Sequence, residues 1–129
     1  MNRDQATGLI TSYFESWVEQ NEDQFRRTIH EGAVVRECTG AVIQGEHELK
    51  RWFTEWNESG NKVHYWTIHH IGYDPEKLSA FVEWTFKCRF EGIEYEWDGA
   101  SVVYFQDALI VELNEYEMKR EKFHPYQQQ

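Results

Sequence analysis

Ile10, Phe14 and Trp17 fall at i, i+4 and i+7, and Leu9, Tyr13 and Val18 widen the stripe, so the pattern predicts a helix over 4–19 with one buried face. Asn21 followed three residues later by Gln24 has the form of a helix cap. Phe25 and Ile29 repeat at i, i+4 before Gly32, which gives a short second helix. Gly32 then releases the chain into a strand that carries Ala33, Val34 and Val35 and ends at Arg36-Glu37-Cys38-Thr39-Gly40. Beyond Gly45, Leu49, Trp52, Phe53 and Trp56 stand at i, i+3, i+4 and i+7. They predict a third helix over 46–56, closed by Ser59-Gly60.

From Lys62 onward the pattern turns extended. Strands are expected over 62–73, 78–90, 93–105 and 109–119, with turns at Asp74-Pro75-Glu76-Lys77, near Glu91-Gly92 and at Gln106-Asp107. Consecutive strands joined by such short turns imply an antiparallel meander. In the second of them Ala80, Val82, Trp84, Phe86 and Cys88 share one face, while Glu83, Thr85, Lys87 and Arg89 share the other with a lone Phe81. One face is core and the other wet. Three helices early in the chain and a curved, mainly antiparallel sheet after them describe an α+β fold in which helices cover one side of the sheet. A chain of 129 residues is expected to form one domain over 1–129, with a polar tail over 119–129.

Charge and composition narrow the partners. A formal net charge of −10 with 13 scattered Lys and Arg argues against nucleic acid, whose phosphates need clustered cations. The longest apolar run is too short to span a membrane, the N-terminus lacks the apolar core of a signal peptide, and two cysteines without CxxC spacing signal no disulfide framework. A cytoplasmic protein without a membrane partner is expected. Six Trp, seven Tyr and eight Phe stand against this acidic background; rings that line a cavity favour a flat or apolar ligand.

Glu37 carries the clearest candidate chemistry. A glutamate pushed into an apolar cavity has its pKa raised toward the range where it shuttles protons near neutrality; the alternative is a solvated carboxylate paired with Arg36. His64, His69 and His70 offer a weaker signal. Strict alternation puts 64 and 70 on one strand face and 69 on the other, and no three ligands converge with metal-site spacing, so no metal is expected. Cys88, on the core-facing alternation, reads as a small packing residue.

Tyr13-Phe14 on the first helix, Arg36-Glu37-Cys38-Thr39-Gly40 on the first strand, Gly45 before a helix with Leu49, Trp52 and Phe53, Glu83-Trp84 in mid-sheet, and Gln106-Asp107-Ala108-Leu109-Ile110-Val111-Glu112 near the end together resemble the NTF2-like superfamily, in particular its SnoaL-like and ketosteroid-isomerase-like branch. The likeness runs from about Leu9 to Met118. It implies a cone-shaped α+β fold, a cavity for a small apolar or aromatic molecule, and a homodimer formed through the sheet face. It also implies cofactor-free proton transfer α to a carbonyl, as in isomerases, cyclases and dehydratases; members of the superfamily include noncatalytic binding and dimerisation modules as well.

In the ketosteroid isomerases a helix tyrosine stabilises the oxyanion and a strand aspartate moves the proton. Tyr13 matches the tyrosine, and Glu37 matches the aspartate with one added methylene. The second oxyanion donor falls at Ser101, and Asp98 three residues away belongs to the opposite strand face. Ala108 stands where the family's turn has glycine. Glu115, on the alternation of Val111 and Leu113, offers a replacement acid. Trp17, Trp52, Trp56, Trp84, Phe86, Cys88, Val103, Leu113 and Glu115 are the expected cavity residues around Tyr13, Glu37 and Ser101.

Overall fold

The computed structural model describes Met1–Gln127. Its elements run α1 (Arg3–Val18), α2 (Glu22–Thr28), β1 (Ile29–Arg36), β2 (Val42–Gln44), α3 (Gly45–Glu58), β3 (Lys62–Asp74), β4 (Ser79–Phe90), β5 (Ile93–Gln106) and β6 (Leu109–Met118). The six strands make one open sheet in the order β2-β1-β6-β5-β4-β3. Every neighbouring pair is antiparallel except β1 with β6, which is parallel. The fold is α+β with a mixed sheet.

The helices do not form a single N-terminal group, because β1 and β2 precede α3. Gly40 takes φ +99°, the Glu37 N–H donates to the Ala41 carbonyl at 2.9 Å, and the chain folds back so that Val42–Gln44 pair with Val34–Arg36. The second helix also stops earlier than its apolar spacing predicts. Thr28 turns its hydroxyl back onto the Phe25 carbonyl at 2.8 Å, and Ile29 is already extended and paired with Ile110. Gly32 falls inside the irregularity that follows.

Local chemistry fixes the helix starts. Asn2 and Gln5 exchange hydrogen bonds at 2.9 and 2.8 Å as a full capping box on α1. On α2 the expected cap is half of one: Asn21 accepts from the Gln24 N–H, whereas the Gln24 side chain donates to Ser12 on α1 and ties the two helices together.

The core lies between the helices and one face of the sheet. Ala6, Ile10, Tyr13, Phe14 and Trp17 of α1 pack with Leu49 and Phe53 of α3 against Val82, Trp84, Val103 and Leu113. On the other face Phe81, Tyr104, Tyr116 and Met118 are exposed among charged side chains. No helix among the described residues is long and apolar enough to cross a membrane. Residues 119–127 hold no helix or strand, yet Arg120 reaches back to Glu96 and Asp98, each at 2.9 Å; Gln128 and Gln129 of the expected tail lie outside the described residues.

Candidate active site

The parallel pairing of β1 and β6 brings two carboxyls together. Val35 pairs with Leu113 and Arg36 with Asn114, so Glu37 follows one step beyond the last pair, level with Glu115. Strand alternation sends Val35, Glu37, Leu113 and Glu115 to the core face. On the opposite face Arg36 donates to Glu112 at 2.6 Å and to Asn114 at 2.9 Å, which holds the register of the two strands. Arg36 is thereby occupied away from Glu37.

Both carboxyls face a cavity of about 780 Å³ under α1 and α3, a size within the range of about 300 to 1,000 Å³ seen for small-molecule sites. All six tryptophans line it, together with Phe86, Phe90 and Tyr95. The wall is braced: Phe14 stacks on Trp66 with centroids 3.9 Å apart, Trp56 stacks on Phe90 at 5.3 Å, and the Trp84 indole donates to the Ser101 hydroxyl at 2.9 Å. Gly99 is dictated by this arrangement, because a Cβ there would collide with the Tyr116 carbonyl oxygen and the Trp84 ring. The indole N–H groups of Trp17, Trp56, Trp66 and Trp97 are buried without a hydrogen-bond partner among the described residues. Four donors are thus presented without an acceptor.

Burial sets the electrostatics. Burial raises the pKa of Glu37, and burial followed by the neighbouring charge of Glu37 pushes Glu115 up to about 8. The surface that Glu115 keeps accessible belongs to the cavity that it lines. The charge of Glu37 reaches Glu115, so the titrations of the two carboxyls are coupled. Burial first, then Glu115 and the other acids nearby, raise the Cys38 thiol to about 11; burial first, then Glu94, raise the Cys88 thiol to about 11 as well. Neither is a thiolate nucleophile at neutral pH.

Of the residues that the sequence offers for the site, Glu37, Glu115, Trp17, Trp52, Trp56, Trp84, Phe86 and Cys88 stand together on the cavity wall. Tyr13, Ser101, Val103 and Leu113 lie behind it, each 1% exposed or less and none of them part of the lining. The Ser101 hydroxyl is taken by Trp84. Tyr13 packs among Phe14, Phe25 and Trp66, and its hydroxyl has no aligned hydrogen-bond partner among the described residues. Burial, then Glu115, holds the phenol well above its usual pKa; the Trp17 indole pulls the other way without hydrogen-bond alignment, so its N–H is orphaned too.

A family model for the SnoaL-like domain matches residues 10–113. The chain belongs to the SnoaL-like family. This is a branch of the NTF2-like superfamily. No curated protein matches the chain in sequence. Among solved structures, an LEH-like epoxide hydrolase from M. tuberculosis superposes with a TM-score of 0.78 at 14% identity, over 89% of this chain and 84% of its own. A protein of cystatin-like fold and unknown function from Methylobium petroleophilum PM1 gives 0.73 at 22% identity, over 98% and 84%. A protein with a ketosteroid isomerase-like fold from Catenulispora acidiphila DSM 44928, in complex with trimethylamine, gives 0.70 at 13% identity, over 84% and 83%. At these identities the likeness establishes the fold.

In this SnoaL-like chain two further tryptophans of the wall, Trp66 and Trp97, escape the sequence reading although their alternation signals them: Trp66 shares a face with Ile68, and Trp97 with Ser101 and Val103. The histidines need a correction. An irregularity between Ile68 and His70 breaks the strict alternation, His69 contacts Thr85 at 2.7 Å, and the register places His70 opposite Glu83, so both belong to the outer face. Thr85 in turn donates to Asp98 at 2.7 Å, and Arg120 completes the chain. This polar network lies across the sheet from the cavity.

Proposed function

We propose that this SnoaL-like protein binds a small, largely apolar carbonyl compound in the tryptophan-lined cavity and moves a proton at the carbon beside the carbonyl. Glu37, as carboxylate, removes the proton. The C–H electron pair becomes the C=C of an enolate, and protonated Glu115 donates a hydrogen bond to the enolate oxygen. Return of the proton from Glu37 to the same or a conjugated carbon completes an exchange or an isomerisation. The observation that carries this reading is the placement of Glu37 and Glu115 on the wall of one apolar cavity, where the more strongly raised Glu115 supplies the acid and Glu37 the base. The reading gives Glu115 the donor's role, since the hydroxyls of Tyr13 and Ser101 stand behind the wall.

The test is deuterium uptake by a panel of small cyclic ketones in D₂O, followed by NMR. Exchange should fall as pH rises through about 8, where Glu115 loses its proton, and should fall again at acid pH as Glu37 gains one. Glu37→Gln should lower the rate by about 100-fold or more. Glu115→Gln keeps a donor, so a smaller loss and disappearance of the alkaline limb are expected. Uptake no faster than in buffer for every ketone would dismiss catalysis and leave a noncatalytic ligand-binding module, a reading favoured by the enclosed hydroxyls of Tyr13 and Ser101.

A further inference from the structure

The cavity's charge is as one-sided as its aromaticity. Glu37 and Glu115 stand inside it, Glu55, Glu91 and Glu117 are exposed where it meets solvent, and among the described residues no lysine, arginine or histidine lines it. Glu55 shares its charge with Arg51 at 2.8 Å; no ion pair of the described residues engages the other four. A cavity meant for a neutral hydrocarbon gains nothing from the unpaired acids Glu91 and Glu117 at its mouth. A cavity meant for an anion is excluded by them.

Indole faces supply what an organic cation needs and a hydrated metal ion does not. The π-cloud attracts a positive charge that is spread over C–H groups, most strongly for tryptophan. Six indoles around one space, with carboxylates both within and at the mouth, have the composition of an aromatic cage for an alkylated or protonated amine. Trp17 adds a second sign: it is 4% exposed, and its N–H, although near enough to the Tyr13 hydroxyl to act on it, makes no aligned hydrogen bond among the described residues. That orphaned donor asks for an acceptor oxygen on the same molecule.

The geometry points to an organic ammonium compound, a protonated or quaternary amine on an apolar body that also carries a carbonyl or similar acceptor, as the ligand class of this cavity. The inference deepens the proposed function and rests on it. The ammonium group lies against indole faces and the ionised carboxylate, while the acceptor oxygen meets the protonated acid or an indole N–H.

The experiment compares phenyltrimethylammonium with tert-butylbenzene, which has the same shape with carbon in place of the charged nitrogen. Binding to the intact protein is read from tryptophan fluorescence at low and high salt. The cation should bind at least tenfold more tightly, and raised salt should narrow that advantage as the acidic mouth is screened. Glu91→Gln and Glu117→Gln, both exposed and away from the core, should narrow it too without unfolding the chain. Preference below tenfold, or for the hydrocarbon, overturns the inference and leaves the apolar-cavity reading standing. Binding of neither probe overturns both.

Discussion

Tyr13 shows how much a single hydroxyl decides. Its ring is fully buried among Phe14, Phe25 and Trp66, and its oxygen finds no aligned partner among the described residues, a desolvated polar atom that weakens the fold. Tyr13→Phe should therefore stabilise the protein by about 1 kcal/mol in denaturant melts and leave ketone exchange unchanged. A loss of exchange in that variant would return the oxyanion role to the tyrosine. The 3.6-residue period assigns Tyr13 to the buried face of α1, and that much is legible in the sequence. Depth is not: periodicity tells which face is inward but not whether an oxygen ends in the cavity or in the wall. Ser101 teaches the same lesson, since alternation points it inward and only packing reveals that Trp84 claims its hydroxyl.

At the scale of elements, the turns carry both the clearest and the most strained signals. Asp107 and Ala108 both have positive φ, +54° and +60°, the geometry of a tight hairpin in which the second position favours glycine. An alanine held there costs about 1 kcal/mol against glycine. Ala108→Gly should raise the unfolding free energy by about that amount with no change in the cavity, measurable by chemical denaturation. The hairpins from Lys62 onward are legible because turn residues bracket long alternating runs. Three features are not. The three-residue strand Val42–Gln44 is too short to display a period, the irregularities beside His64 and His69 shift a count that assumes strict alternation, and the parallel pairing of β1 with β6 joins segments that no local pattern connects. Glu37 and Glu115 each stand out in the sequence; their partnership is a product of that last pairing.

For the molecule as a whole, the paired acids tie stability to pH. Glu115 has a folded-state pKa of about 8, raised from 4.5 by burial and then by Glu37, so the folded state binds a proton that the unfolded chain has already released over this interval. Stability is therefore fully present below about pH 4.5 as far as this group is concerned and is lost as pH rises toward 8. Thermal melts should give a lower Tm at pH 8 than at pH 5.5, and Glu115→Gln should flatten that slope and raise Tm at pH 8. A Tm that climbs over this interval in the parent protein and not in the variant would contradict the assignment.

The acid pair is built from the first long strand and the last. Glu37 follows the end of β1 and its companion lies on β6, with α3 and four further strands between them along the chain and none between them in the sheet. The pair therefore exists only where the sheet joins these two distant segments. A chain whose last strand peels away loses the carboxyl pair itself rather than merely its shelter.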